Sequence, residues 1–190
     1  MKKKGLIITL SIVAVVVIII GAVIGGYNNL VDDREDVLEA QSAISVQLQR
    51  RADLIPNFVA TVKGYSDYEQ STFTAVTEAR SAVQRANNVT EQAAASNQLD
   101  RAIDIWVNAV TEAYPELKAS EQYKALQDEL AGTENRIAVA RRDYNEDARE
   151  FNAEIKKFPR SILAGLFGFE AYDYFEADSS AQNVPQVSFD

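Results

Sequence analysis

The strongest pattern in the chain is a stripe of apolar residues, three and four positions apart, between residues 120 and 157. Such spacing is typical of one face of an amphipathic helix that packs against other helices, as in a coiled coil. The stripe consists of Leu126, Leu130, Thr133, Ile137, Ala140, Tyr144, Ala148, Phe151 and Ile155. Charged residues between these positions, among them Glu134 and Arg141, are expected to face solvent. The pattern predicts a long helix that starts at the N-cap Ser120 and ends before Pro159.

Three further segments repeat the helical pattern. One of them continues in register through Pro56, which predicts a single kinked helix rather than two helices. Another follows Thr90, a residue suited to capping a helix. The four predicted helices span residues 27–63, 67–86, 91–114 and 120–157. Two long and two shorter helices joined by links of a few residues predict an all-α protein with an antiparallel four-helix bundle over residues 27–158.

An uncharged apolar run, Leu6–Ile24, precedes the first of these helices. As a helix the run would measure about 28 Å, which matches the hydrocarbon thickness of a bilayer. The alternative is a cleaved signal peptide, but those have shorter apolar regions, and the exit around Gly25 and Gly26 is a poor cleavage site. We therefore predict a retained transmembrane helix over residues 1–26, with the bilayer as its partner along residues 6–24. Its membrane-spanning positions include Leu6, Ile12, Val16, Ile20 and Ile24.

The charges on either side of the apolar run predict its orientation. Lys2, Lys3 and Lys4 precede it, whereas the first charged residues after it are Asp32 and Asp33. The positive-inside rule places such an N-terminus in the cytoplasm. We therefore predict a single-pass protein of the plasma membrane whose bundle is extracytoplasmic, with a cytoplasmic bundle as the alternative.

Composition argues against several classes of function. Residues 27–190 carry 16 basic and 28 acidic side chains, and a nucleic-acid partner would need clustered Lys and Arg instead. The chain has no cysteine, and hence no disulfide or thiol chemistry. It also has no histidine, so neither a Ser–His nucleophile nor the usual Glu-x-x-His di-iron site of helical bundles can be built. We expect no catalytic site, no metal and no cofactor.

The long helix carries a polar edge formed by Arg142, Asn145 and Asn152. Asparagine has poor helix propensity, so its repeated use within one helix needs a reason. One explanation is that these residues form hydrogen bonds across helices and fix the register of the bundle. The other is a polar groove that binds a small ligand or a peptide.

The tail, residues 159–190, begins with an apolar cluster over residues 162–169 and ends in a small, polar stretch that is expected to be flexible. The cluster would either fold back over one end of the bundle or form an exposed docking patch. Insertion into a membrane is disfavoured, because five acids and no base follow Ser161. The candidate partner-contact residues of the chain are Arg142, Asn145, Asn152, Leu166, Phe167 and Phe169.

Several long blocks of the sequence resemble the LemA family of bacterial membrane proteins, from about Tyr27 to the end of the chain. The blocks are Tyr27–Val31, Val46–Asn57, Thr61–Tyr65, Glu112–Lys118, Gly132–Asn145, Phe158–Pro159, Phe167–Phe169 and Tyr174–Glu176. The resemblance implies a single N-terminal membrane span and a helical bundle. It implies no established activity and no catalytic residues. The family is also described with its bundle in the cytosol, and a role beside membrane proteases or in envelope signalling is suggested for it.

Together these observations predict a non-enzymatic, membrane-anchored protein of the bacterial inner membrane. We expect it to act as a scaffold, adapter or assembly factor for other membrane or envelope proteins, since an anchor raises its effective concentration near such partners. Copies of the same chain are also expected as partners. The alternative is a ligand-sensing signalling protein that transmits a change through the helix continuous with the membrane span.

Overall fold

The computed structural model of the chain describes residues 2–63 and 70–176, with side chains over 6–62 and 74–176. Those residues form five α-helices and one 3₁₀ helix and contain no strand. The helices are α1 (Lys2–Lys63), α2 (Gln70–Arg85), α3 (Val89–Ala113), the 3₁₀ helix (Pro115–Ala119), α4 (Glu121–Glu154) and α5 (Arg160–Phe167). The predicted all-α class is confirmed for these residues. The antiparallel four-helix arrangement stays a prediction.

Helix α1 includes both the predicted anchor, residues 1–26, and the predicted helix over residues 27–63. It runs through Pro56 without a break. It also runs through Gly25 and Gly26, because a glycine inside a helix costs only about 1 kcal/mol relative to alanine. The link between the first two predicted helices, residues 64–66, and the start of the second, at residue 67, lie outside the described residues.

Helix α3 begins two residues earlier than predicted, at Val89, because Asn88 rather than Thr90 is its N-cap. The Asn88 side chain accepts a hydrogen bond from the backbone N–H of Glu91 at 2.8 Å. In return, the Glu91 carboxylate accepts one from the backbone N–H of Asn87 at 2.8 Å. This reciprocal arrangement satisfies two N–H groups that a single threonine cap would not.

Helix α4 starts at the predicted cap, since the backbone N–H of Tyr123 donates to the Ser120 hydroxyl at 3.4 Å. It ends at Glu154, three residues before the end predicted from the sequence. A turn then leads through Pro159 into α5, where the sequence predicted only an apolar tail. Gly168, with a left-handed φ of 71°, ends α5.

The chain divides into two compact units, and the second contains Ala40–Asn145 together with the described residues from Asp173. Its core is built from apolar side chains of α1, α2, α3 and α4. Those that are buried include Ile44, Leu48, Ile55, Phe58, Val76, Leu99, Ile103, Trp106, Leu130, Ile137 and Tyr144. The Phe58 ring lies 4.8 Å from that of Trp106 and 5.2 Å from that of Tyr123. The stripe positions of α4 in this unit are buried from Leu130 onward, as their spacing predicts.

The first unit contains Met1–Glu39 and Glu146–Tyr172. Its small core joins Leu30 of α1 to Leu163 and Ala164 of α5, and Ile155 and Phe169 pack against these three. The backbone N–H of Phe169 donates to the carbonyl of Ala164 at 3.0 Å, which secures the turn after α5. This short helix is therefore packed on α1 in the segment that follows the apolar run.

Candidate functional site

The N-terminal part of α1 has an apolar surface that is open along its whole length. Every side chain from Leu6 to Ile24 is exposed. The predicted membrane-spanning residues Leu6, Ile12, Val16, Ile20 and Ile24 are between 47% and 64% exposed. Within the part of the chain that the structure describes, α1 is the one helix long and apolar enough to cross a membrane. So large an uncovered apolar surface is unfavourable in water and supports membrane association.

In the first unit, Asn152 binds the backbone of the chain that follows α5. Its side-chain amide donates to the carbonyl of Tyr172 at 2.8 Å and accepts from the N–H of the same residue at 2.8 Å. Asn152 is buried, and the Tyr172 ring lies 5.4 Å from that of Phe151. The amide thus satisfies both backbone groups of one residue, as a neighbouring strand would.

The second unit contains the same arrangement at Asn145. The N–H of Phe175 donates to the Asn145 side chain at 2.7 Å, and the side chain donates to the Phe175 carbonyl at 3.0 Å. The Tyr144 hydroxyl donates to the carbonyl of Asp173 at 2.8 Å. Phe175 is itself buried, with the guanidinium of Arg141 4.6 Å from the centre of its ring. Both asparagines therefore hold the chain's own backbone, which neither explanation drawn from the sequence predicted.

The third residue of the predicted polar edge, Arg142, has a different environment. Its side chain is 72% exposed, and its guanidinium donates to the neighbouring Asp143 carboxylate at 2.8 and 3.1 Å. Of the three, Arg142 is the one whose side chain is open to solvent. Partner contact by these residues stays a prediction.

The apolar cluster of the tail is divided between two faces of α5. Leu163 and Ala164 are buried against Leu30, whereas Leu166 is 72% and Phe167 50% exposed. Phe169 lies between these extremes, with its ring 6.2 Å from that of Phe151 and 5.9 Å from that of Tyr27. The Phe167 ring also contacts that of Tyr27, at 4.7 Å. One face of the cluster thus belongs to the core of the first unit, and the other is open.

Sequence reasoning missed a group of buried charges in the second unit. Arg51 of α1 has a side chain only 6% exposed, with its guanidinium 2.5 Å from the Asp100 carboxylate of α3 and bonded to Glu134 of α4. Arg141, expected to face solvent, is half-buried and donates to the hydroxyl of Ser96 at 2.5 Å. The group links α1, α3 and α4. The sequence did contain a signal for the burial of Arg51, because this arginine follows Leu48 by three residues and so lies on the apolar stripe of α1.

Burial dominates the electrostatics of this group. It raises the pKa of Asp100, although attraction to Arg51 and Arg141 acts in the opposite direction. It also lowers the pKa of Arg141, against the attraction of Asp100. The Nε atoms of Arg51 and Arg141 are buried without a hydrogen-bond partner among the described residues. These buried charges form an internal ion pair whose partners are held by the packing around them.

A second charged group lies in the first unit, at the turn between α4 and α5. Arg160 donates to Glu154 at 2.5 Å and to Asp33 of α1 at 3.3 Å, and Lys157 donates to Glu154 at 2.5 Å. The hydrogen bond from Lys157 is the main reason that the pKa of Glu154 is lowered. Burial raises the pKa of Asp33, partly offset by Arg160. A cleft of about 490 Å³ lies beside them, lined by charged residues of both signs that include Asp36 and Arg149.

Carboxylates are numerous in these sites, and they are engaged in ion pairs and hydrogen bonds such as those of Asp33, Asp100 and Glu154. Within residues 2–63 and 70–176, no group of three or more acidic residues is placed to hold a metal ion.

Comparison with known proteins bears out the resemblance seen in the sequence blocks. The magnetosome proteins MamQ 2 and MamQ 1 of Paramagnetospirillum magneticum are each similar to this chain, with 28% identity over 212 aligned positions that cover 97% of it and 78% of the relative. Protein LemA of Metamycoplasma hominis is 28% identical over 144 positions, covering 74% of this chain and 64% of the relative. None of these names specifies a reaction. The sequence model of the LemA family matches residues 40–189, and the chain belongs to the LemA family.

Proposed function

We propose that this LemA-family protein is a non-enzymatic scaffold, adapter or assembly factor, anchored in a membrane by α1, that binds other membrane or envelope proteins. The observation that carries the proposal is α1 itself. Its first part is apolar and exposed, whereas its later residues, such as Ile44 and Leu48, are buried in a helical core. A single helix therefore combines a membrane segment with a packed scaffold.

Two further observations support a binding role. The side chains most often used in nucleophilic catalysis, cysteine and the histidine that activates serine, are absent from the sequence. The relatives are named for a family or for a cellular body, the magnetosome, rather than for a reaction. Arg142, exposed on α4, is the residue of the second unit that we propose for protein contact. Asn145 and Asn152 would act indirectly, by holding the segment after α5 in place.

We further propose that parts of α1, α2, α3 and α4 form an antiparallel four-helix bundle in the second unit. Bonds between pairs of helices support it: Arg51 pairs with Asp100, Arg80 donates to the carbonyl of Ala52 at 3.0 Å, and Gln92 donates to Ser45 at 2.9 Å. Because the chain has no cysteine, a Ser45→Cys/Gln92→Cys pair is expected to be joined by a short cross-linker that carries two thiol-reactive groups, which spans the length of the glutamine side chain it replaces. Failure of this pair to cross-link would contradict the bundle.

The proposed location is the inner membrane of a bacterium, with the body on the extracytoplasmic side, as the lysines before the apolar run favour. Asn135 is exposed on α4, so Asn135→Cys supplies a single reporter thiol in a cysteine-free chain. A membrane-impermeant maleimide added to intact cells is expected to label this variant, and the unmodified protein is the blank. Labelling only after lysis would place the body in the cytoplasm.

Proximity labelling from the intact protein tests the binding role. A peroxidase that oxidises biotin-phenol, and so needs no ATP outside the cytoplasm, is fused to the C-terminus of the full chain, and the control carries the same peroxidase on residues 1–26 alone. Proteins that meet the anchor by chance are labelled in both cases, whereas partners of the helical body are enriched only with the full chain. A labelled set identical to that of the anchor control would contradict the adapter proposal.

The charged cleft of the first unit favours one alternative function, a ligand-sensing signalling protein. Asp36 and Arg149 are among the residues that line it, and part of its wall is formed by α1, the helix continuous with the apolar run. A sensor predicts that some polar small molecule raises the melting temperature of the full chain in detergent. The same molecule should have no effect on a Glu154→Gln/Arg149→Gln variant. A broad screen in which every compound leaves the melting temperature unchanged would count against this alternative.

A further inference from the structure

Helix α5 is apolar on nearly every side. Of its eight residues only Arg160 and Ser161 are polar. The face carrying Leu163 and Ala164 is covered by the core of the first unit. The opposite side is open, with Ile162 60% and Leu166 72% exposed. A helix that is hydrophobic all round is normally buried in a core or in a membrane, and α5 is half covered.

Another large apolar side chain is exposed just before the start of the helix. Phe158, four residues before Ile162, is 83% exposed, and Leu166 follows Ile162 by four. Positions four apart lie above one another on a helix. Ile162 and Leu166 therefore form one row on α5, and Phe158 adds a third exposed apolar side chain in the turn before the helix; we call these three side chains the α5 row.

Contacts within the first unit place α5 at the end of the apolar run. A Cβ atom added to Gly26 would lie 2.8 Å from Cδ1 of Leu163. The glycine comes two residues after Ile24, which is about 3 Å along a helix axis. The Tyr27 ring lies 4.7 Å from that of Phe167. Helix α5 is thus beside the residues where α1 would leave the hydrocarbon of a bilayer.

The charges near α5 are compatible with this position. None of its residues is acidic, and Arg160 is paired with Asp33 and Glu154. The five acids of the tail all come after Gly168. Tyr27, whose ring contacts that of Phe167, is an aromatic residue of the kind that is enriched at membrane–water interfaces. The acidic charge that disfavours membrane contact for the tail as a whole is therefore absent from α5 itself.

We propose that α5 is an interfacial membrane helix, with the α5 row of Phe158, Ile162 and Leu166 inserted among the lipids of the leaflet that α1 leaves at Gly26. The bilayer is the occupant because the open face lies next to the membrane segment and is itself apolar. In this position α5 would also hold α1 at the membrane–water interface, through its contacts with Gly26, Tyr27 and Leu30. This inference rests on the proposed membrane anchor.

Site-directed spin labelling of the full chain in vesicles of phosphatidylethanolamine and phosphatidylglycerol tests the proposal, since the chain has no native cysteine. Single-cysteine variants are made at Ile162 and Leu166, and at Val16 in the apolar run. Leu38, 39% exposed on α1, is the aqueous control, because it lies fourteen residues or about 21 Å beyond Ile24. Accessibility to oxygen is compared with accessibility to a neutral nickel chelate, since lipid favours the first and water the second.

The expected ratio of oxygen to nickel accessibility is highest at Val16, severalfold above the Leu38 value at Ile162 and Leu166, and lowest at Leu38. A water-like ratio at Ile162 and Leu166, together with a lipid-like ratio at Val16, would overturn the proposal while leaving the anchor intact. Low accessibility to both reagents at Leu166 would also overturn it, in favour of contact with protein. A water-like ratio at Val16 would contradict the membrane anchor itself, and therefore both the proposed function and the proposed position of α5.

Discussion

Asn145 holds Phe175 by both of its backbone polar groups, with hydrogen bonds of 2.7 and 3.0 Å to the two ends of one side-chain amide. The Phe175 ring is buried beneath the guanidinium of Arg141. The segment after α5 therefore contributes a side chain and a backbone to the packing of the second unit. Because the asparagine side chain reproduces the pairing of a strand, it anchors an extended segment on the surface of a helix.

Replacement of Asn145 by alanine is expected to lower the free energy of unfolding by roughly 1–3 kcal/mol, since two hydrogen bonds are lost and the Phe175 backbone is left partly unpaired. The measurement is chemical denaturation of the full chain in mild detergent, followed by far-UV circular dichroism. The matched control is Asn135→Ala, an asparagine exposed on the same helix, which should change stability little. Equal effects of the two substitutions would contradict the assigned role.

A double-mutant cycle separates this contact from a general weakening of α4. Phe175→Ala removes a buried ring and its contact with Arg141, and it should also be destabilising. If Asn145 acts by holding this residue, the cost of Asn145→Ala is smaller once Phe175 is alanine. Strictly additive costs would mean that the asparagine stabilises α4 by itself.

The buried Arg51 is expected to be far more important to stability than its neighbour Arg50. Arg51→Met should cost about 3 kcal/mol, because it leaves the Asp100 carboxylate without its nearest cation in a desolvated position. Arg50 pairs with Glu129 at 2.8 Å, but both side chains are open to solvent, so Arg50→Met should cost no more than about 1 kcal/mol. Denaturation of both variants under the same conditions measures the difference.

A second substitution at Asp100 should restore stability to the Arg51→Met variant. Because a buried ion pair stabilises little relative to apolar groups of similar volume, Arg51→Met/Asp100→Leu should recover most of the stability that Arg51→Met alone loses. Arg50→Met combined with Asp100→Leu provides the matched control, which should show no recovery. If the first double variant is as unstable as the sum of its single substitutions, the two charges do not act as a pair.

Asp100 should make stability depend on pH in an unusual direction. Burial raises its pKa above the ordinary value of 3.8, so the folded protein holds this proton more tightly than the unfolded chain. The resulting stability is present in full below 3.8 and is lost as the pH rises through the raised pKa. As the pH rises from 3.8 through the raised pKa, wild type is therefore expected to lose stability relative to Asp100→Asn. Denaturation of both proteins at a series of pH values measures the change.

Glu154 should make stability depend on pH in the direction opposite to Asp100. The hydrogen bond from Lys157 holds the pKa of this carboxyl below its ordinary value of 4.5. Its contribution is present above that value and is lost as the pH falls through the lowered pKa. Wild type should therefore lose stability relative to Glu154→Gln on acidification. The same sign for Glu154→Gln and Asp100→Asn would contradict the environments assigned to the two carboxyls.

Residue spacing was sufficient to find the buried face of α4, because the burial of Leu130, Ile137 and Tyr144 follows directly from their helical period. The role of Asn145 could not be found in the same way. Its partner is a backbone thirty positions away, and backbone atoms have no signature in the sequence. Pairs such as Arg51 and Asp100 likewise depend on which helices are neighbours.

Helix α5 was missed for a different reason. Eight residues that are apolar on nearly all sides have no polar face to set a period, so the segment was predicted only as an apolar cluster. Its division into a covered face at Leu163 and an open face at Leu166 depends on contact with α1. Of the two alternatives drawn from the sequence, packing against the helical body describes the face at Leu163, whereas docking through the open face stays a prediction.

The contact between α1 and α5 can be tested at two adjacent glycines. A Cβ at Gly26 would overlap the buried side chain of Leu163, so Gly26→Ala is expected to be less stable than Gly25→Ala by about 1–2 kcal/mol. A Cβ at Gly25 meets nothing within 4 Å, and Gly25→Ala should be neutral or stabilising, because alanine favours the helix. Denaturation in detergent measures both, and Leu163→Ala should abolish the difference between them. Equal effects of the two glycine substitutions with Leu163 intact would show that α5 does not pack on Gly26.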